Sequence, residues 1–319
     1  MRRDSHGDER HSDGRHTEHQ GKHGPHPGAP DAPPAAAGGA LWAWARAWAR
    51  AAHPVPVLVV TGLTACLAVS LGHSAASTML LVLAVLTGQL SVGWLNDLVD
   101  AGRDARAGRV TKPVAQGRLA PAAVTAMVVG SALAAIALSL ACGWPAALAH
   151  LVALVSAWVY DLGAKATAWS VLPYLVSFGL LPAFVSLALP GGPLPPLWLV
   201  ASGALLGGAA HFVNTLPDLA DDARVGVRGL PHRLGAVGSR VAAAVALLGS
   251  ALLLVGPPGL GGDLRLLALL VAAGTAFVGL LHRDRRRGDA RLAFQTVLLV
   301  AALDMGLLLT AGLSAGTAG

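Results

Sequence analysis

Residues 76–117 read ASTMLLVLAVLTGQLSVGWLNDLVDAGRDARAGRVTKPVAQG. The stretch 76–96 carries no charged residue and is long enough to cross about 30 Å of hydrocarbon as a helix. Directly after it come Asp97, Asp100 and Asp104, interleaved with Arg103, Arg106 and Arg109 and followed by Lys112-Pro113 and Gly117. An apolar span that ends in a ladder of carboxylates is the unit from which the rest of the chain can be read.

The same apolar character recurs through the middle of the chain. Of 319 residues, 54% are hydrophobic and 13% charged, and the mean hydropathy is +0.60. A soluble domain carries roughly 25% charged residues, so a water-facing fold is excluded as the default. Six of the 17 acids precede position 32, four follow position 262, and the seven between fall in three tight clusters. Beyond Pro54 nine apolar spans are expected, at about 54–72, 76–96, 120–142, 144–160, 170–189, 195–215, 236–256, 264–281 and 292–312. The expected fold is all-α, a polytopic membrane bundle of about nine transmembrane helices.

Four regions follow. Residues 1–40 form a polar tail with six histidines and no apolar h-region, so the reading is a disordered, solvated segment and not a signal peptide. A loose metal-binding role for those histidines is the alternative. Residues 41–53 mix Trp42, Trp44 and Trp48 with Arg46 and Arg50, as amphipathic interfacial segments do. The transmembrane domain covers 54–312, and 313–319 is a short tail. Cys66 and Cys142 both lie in apolar runs, which suggests neither a disulfide framework nor a zinc site.

The net charge of +6 and pI near 10.1 do not indicate nucleic acid, because the basic residues are dispersed between apolar spans. They obey a pattern instead. Loops after even-numbered spans hold nearly all of them, and loops after odd-numbered spans hold only Arg265. By the positive-inside rule the N-terminus and the even loops are cytoplasmic and the C-terminus lies outside. The expected location is multi-pass in a bacterial plasma membrane.

On a helix Asp97, Asp100 and Asp104 project with Asn96 within roughly one quadrant. Like charges so placed repel, and desolvation beside a membrane raises the cost. Positive charge must be held there. Oxygen ligands without sulfur or clustered histidine suit Mg2+; the plainer alternative is a solvated helix end neutralised by its arginines. A second set follows span six: Asn214, Asp218, Asp221 and Asp222, then Arg224, Gly226 and Arg228. Asn214, Asp218 and Asp222 are spaced to share a stripe. A third element is Tyr160-Asp161 with Lys165, where snorkelling to the headgroups and a simple Asp161–Lys165 pair are the structural alternatives. Acids for Mg2+ and bases for an anion, at the mouth of an apolar bundle, describe a site for a lipid diphosphate such as a prenyl diphosphate. Trp94, Tyr160 and Tyr174 are the aromatic faces that could shield an allyl cation there.

These residues resemble the UbiA superfamily of intramembrane prenyltransferases. Its NDxxDxxxD signature with a following Arg and a basic residue before Pro looks like Asn96, Asp97, Asp100, Asp104, Arg109 and Lys112-Pro113; its second, DxxxD with Gly and a basic residue beyond, looks like Asp218, Asp222, Gly226 and Arg228. The resemblance implies Mg2+-dependent transfer of an isoprenoid chain from a prenyl diphosphate donor to a hydrophobic, aromatic or quinone-precursor acceptor. It implies Asp97, Asp100, Asp104, Asp218 and Asp222 as metal ligands and catalytic groups, and Asn96, Arg109, Lys112, Lys165, Asn214 and Arg228 as diphosphate contacts. Where family members often carry Lys and Thr after the second motif, this chain has Val227, Arg228, Gly229 and Leu230. A membrane terpene cyclase acting on the donor alone, and a transporter or scaffold, are the competing readings. A transporter would carry ionisable groups near the midplane, whereas here the acids gather at one face and Asp304 is the exception.

Overall fold

The computed structural model describes residues 37–108 and 111–255, together with the isolated helical positions Gly262, Leu266, Leu270, Ala273 and Gly274. All regular elements among the described residues are helical. They are α1 (Ala37–Ala51), α2 (Pro54–Ser70), α3 (Ala75–Arg106), α4 (Pro121–Ala141), α5 (Trp144–Leu162), α6 (Leu172–Leu187), α7 (Leu197–Thr215), α8 (Leu219–Arg224) and α9 (Leu230–Val255). The expected tail before residue 37, Arg109, most of the span at 264–281, the span at 292–312 and the C-terminal tail lie outside the described residues.

The local chemistry explains where the helices begin. Pro stands in the first turn of α2, α4, α5 and α6, where its missing N–H costs nothing. Ser74 caps α3, its hydroxyl accepting from the Ser77 amide at 3.3 Å. Seven of the nine expected spans coincide with α2 to α7 and α9, but five helices are long and apolar enough to cross a membrane, or six if α1 and α2 make one span bent by 65°. The count of about nine is not confirmed, because the last two expected spans lie largely outside the described residues. α2 and α6, with 17 and 16 residues, are the shortest of the seven and stand at or below the lower end of the about 17–25 residues that cross a bilayer.

Helix α3 departs from expectation in the other direction. It runs for 32 residues, ten past the expected edge of the span. At 1.5 Å per residue that is about 48 Å, so its last turns outreach the hydrocarbon and carry the carboxylates beyond it. Neighbours in sequence are neighbours in space: α2 packs on α3, α3 on α4, α5 on α6, α6 on α7 and α7 on α9, while contacts of α3 with α5 and of α2 with α6 close a ring. Gly93 permits the tightest approach, since a Cβ there would lie 2.2 Å from the Ala52 carbonyl oxygen. Gly207 does the same between α7 and α6, where a Cβ would lie 2.5 Å from the Tyr174 carbonyl oxygen.

The segment expected to be interfacial is a helix with two faces. Leu41, Trp42 and Trp44 are exposed, whereas Ala47, Ala51 and Ala52 pack with Trp94 and Val124. His53 turns the chain into α2 with a left-handed backbone, φ 56 and ψ 69. Such a conformation costs a non-glycine residue about 1–2 kcal/mol, and its side chain has a partner in the site described next.

Candidate active site

A cavity of about 400 Å³ opens among α2, α3, α5, α6, α7, α8 and the start of α9. Asp100 and Asp104 reach it from α3, Asp222 from α8, and Asp218 from the 3-10 turn Leu216–Asp218 that joins α7 to α8. Two carboxylate groups more than a hundred residues apart thus face one space. Asn96, Asp161, Lys165, Lys112 and Asn214 line it too, and so do Tyr160 and Tyr174.

The second stripe is broken, in contrast to the continuous helix that the spacing suggests. Pro217 has no amide proton to donate, α7 ends at Thr215, and the backbone re-forms as α8 only from Leu219. Asn214, Asp218 and Asp222 nevertheless all line the cavity. Asp221 pairs with the exposed Arg224.

Charges in the first group are matched by cations. Both oxygens of Asp100 lie 2.7 Å from the Lys165 ammonium, and Arg103 pairs with the same carboxylate. Lys165 therefore does not make the local pair with Asp161 that its spacing offers. Asp161 instead accepts from the Asn96 amide at 2.9 Å, and its second carboxylate oxygen is buried without a hydrogen-bond partner. Lys112 lies 3.3 Å from Asp97 and 4.0 Å from Asp104 and is 3.0 Å from His53 Nε2. An ammonium only donates, so that His53 nitrogen accepts and carries no proton.

Three expected residues stand apart from the cavity. Asp97 is 1% exposed and is turned to the loop before α4, where it accepts from the Val114 amide at 3.2 Å. Trp94 packs edge-on against Trp48 and donates its indole N–H to the Trp48 carbonyl at 3.2 Å, since an indole in an apolar setting needs one partner. Arg228 is exposed and is not among the lining residues; its carbonyl accepts from Arg233 at 3.4 Å. Arg109 lies outside the described residues.

Histidines 53, 211 and 232 are lining residues that the sequence reading passed over. His211 is 1% exposed and sits against both Tyr160 and Tyr174, with ring centroids 5.7 and 5.0 Å away. Ser170 accepts from the Leu230 amide at 2.9 Å and stands 3.1 Å from His211 Nε2, tying the start of α9 to α7. Nothing in the local pattern marks these residues, because the groups they meet in the site, Lys112 for His53, Tyr160, Tyr174 and Ser170 for His211 and Asp222 for His232, lie 10 to 59 positions away.

Among the described residues no three His, Cys, Asp or Glu side chains converge into a cage for a metal. Mg2+ does not require such a cage, being commonly bound by one or two carboxylates completed by water and substrate phosphates. The carboxylates facing the cavity offer oxygen donors, and the orphaned Asp161 oxygen leaves acceptor capacity that a cation could use.

Comparison with known proteins bears on the same region. Residues 55–303 match the model of the UbiA prenyltransferase family. A UbiA homologue from Aeropyrum pernix K1, solved in its apo form, superposes with a TM-score of 0.65 at 18% identity over 82% of this chain and 98% of its own. A UbiA homologue from Archaeoglobus fulgidus, solved with GPP and Mg2+, gives 0.62 at 13% identity over 82% and 99%. A structure of digeranylgeranylglyceryl phosphate synthase gives 0.62 at 13% identity over 85% and 99%. Identities this low establish a shared fold. No curated protein matches the chain.

Proposed function

The chain belongs to the UbiA prenyltransferase family, and on that premise we propose that it transfers an isoprenoid chain, with Mg2+, from a prenyl diphosphate to a hydrophobic acceptor. The observation that carries this reading is the meeting of Asp100, Asp104, Asp218 and Asp222 with Lys165 around one cavity. A homologue of the same fold has been solved with a prenyl diphosphate and Mg2+, which supports the same donor here. The acceptor is taken to be aromatic or a quinone precursor, and the mouth to be cytoplasmic.

Asp100, Asp104, Asp218 and Asp222 would hold the metal, with Asp161 as a further oxygen donor. Bound Mg2+ would neutralise charge developing on the departing diphosphate. Lys165 has an ammonium that a diphosphate would draw from Asp100, so one side chain releases a metal ligand as it gains an anion. Tyr160 and Tyr174 meet edge to face, centroids 5.1 Å apart, and present aromatic surface to a developing allyl cation. The apolar walls exclude the water that would otherwise capture that cation.

The test uses the full chain in detergent or lipid with Mg2+, labelled donors of several lengths and a panel of aromatic acceptors. Prenylated acceptor supports the proposal, and its loss on chelation supports the metal. A cyclised product from donor alone would replace transfer by cyclisation. Release of no diphosphate under any combination would overturn the enzyme reading.

A further inference from the structure

Below the carboxylates the cavity adjoins a second, smaller one of about 40 Å³. The two share Val60, Gln89, Ala157, Ser177 and Phe178 in their walls, so they are successive parts of one passage between α2, α3, α5 and α6. The upper part carries the charges; the lower is lined mainly by apolar side chains, with Leu154, Leu180 and Leu181 in its walls.

The passage ends on a pair of rings. Phe184 is fully buried and stacks on His150 with centroids 4.5 Å apart and planes 20° from parallel. His150 Nδ1 lies 2.7 Å from the Ser139 hydroxyl, which itself donates to the Ala135 carbonyl at 2.5 Å. The histidine is therefore held on its edge by α4 and on its face by α6. Leu81, Val85 and Val185, all buried in the main core, belong to the same cluster as Phe184.

The depth of this passage follows from the helices that flank it. Gly88 is 12 residues below Asp100 on α3, and His150 is 11 below Asp161 on α5. At 1.5 Å per residue the end lies roughly 16–18 Å beneath the carboxylates. An isoprene unit adds four carbon–carbon bonds along the chain, about 5 Å when extended. With a diphosphate seated at the carboxylates, three units of about 15 Å fit the distance and a fourth, at about 20 Å, exceeds it.

Resting on the donor reading above, we propose that His150 and Phe184 are the end wall of the donor's tail chamber and restrict the donor to no more than three isoprene units. Ala157, in the shared wall, sets the width of the approach. The apolar tail would be drawn in by burial against the leucines and Phe178, and a fourth unit would meet the stacked rings.

Affinity for inorganic diphosphate and for prenyl diphosphates of one to four isoprene units, measured with Mg2+ on the full chain, tests this. The wild type should bind the two- and three-unit donors best and the four-unit donor at least about tenfold more weakly, a difference of about 1.4 kcal/mol. Phe184→Ala should restore the four-unit donor, and Ala157→Leu should shift the preference to shorter ones. Unchanged binding of inorganic diphosphate reports that each variant has kept its mouth. Equal affinity of the wild type for three and four units, or a length profile that neither folded variant moves, would overturn the end wall alone. Failure of every probe to bind the wild type would remove the donor reading and the end wall with it.

Discussion

At the scale of single residues, the carboxylates of the first group perform two separable jobs. Asp100 faces the cavity and is neutralised by Lys165 and Arg103, whereas Asp97 is buried against the Val114 amide and Lys112. Asp218→Ala should abolish turnover with little change in unfolding temperature, and Asp100→Ala should abolish it too while stranding the buried Lys165 ammonium; Asp221→Ala should retain activity because its partner is an exposed arginine. Asp97→Ala should lower the unfolding temperature as well, because it strands a buried amide and an ammonium; removing one partner of a buried pair costs about 3–5 kcal/mol. A melt paired with an activity assay separates the two. Lys165→Gln should weaken donor binding about ten- to hundredfold, the worth of a charge-assisted bond of about 1.5–3 kcal/mol. Arg228→Gln, being exposed and outside the lining, should change it little; equal losses in the two variants would show that both cations reach the donor. The spacing of Asp97, Asp100 and Asp104 made the ladder legible because it follows the helical period. It could not show that Asp97 turns away, since the amide it meets belongs to a turn 17 residues on, nor that Lys165 would choose an acid 65 positions back over its neighbour.

At the scale of elements, hydropathy located seven helices to within a few residues and misjudged the ends that matter most. A hydropathy window closes where charges begin, but the backbone ladder of α3 continues through Arg106 because Asp, Arg and Ala tolerate a helix well enough to extend one already formed. The acids stand near the negative end of its dipole, where carboxylates are disfavoured and Arg103, Lys112 and Lys165 compensate. The close approaches were invisible for another reason: a glycine in an apolar run reads the same whether it meets lipid or another backbone. Gly207 and Gly130 make the comparison. A Cβ at Gly207 would come within 2.5 Å of the Tyr174 carbonyl, and one at Gly130 would meet nothing within 4 Å. Gly207→Ala should push α7 from α6, cost about 1–3 kcal/mol as overpacking does, and reduce activity by displacing Tyr174. Gly130→Ala should leave both unfolding temperature and activity intact. If the two alanine variants melt alike, the α6–α7 contact does not position the site.

At the scale of the whole molecule, the cavity ties together connections that the charge pattern treats separately. Asp104 and Lys112 flank the α3–α4 connection, Lys165 lies between α5 and α6, and Asp218 between α7 and α8, yet all line one space. These three connections therefore share a side of the bundle, on geometry that owes nothing to the distribution of arginines. The opposite connections, 71–74, 142–143 and 188–196, contain neither Lys nor Arg. From the positive-inside rule the expected outcome is that the entire mouth faces the cytoplasm. Trp169 and Leu194, 70% and 81% exposed, sit on connections at opposite ends and make suitable reporters. With Cys66 and Cys142 replaced by serine, a membrane-impermeant maleimide applied to intact cells should label Leu194→Cys, and should label Trp169→Cys only after the cells are opened. The reverse pattern would place the mouth outside. A donor with a charged head group cannot readily cross hydrocarbon to reach the wrong side, so that result would require the diphosphate to be supplied from the external face.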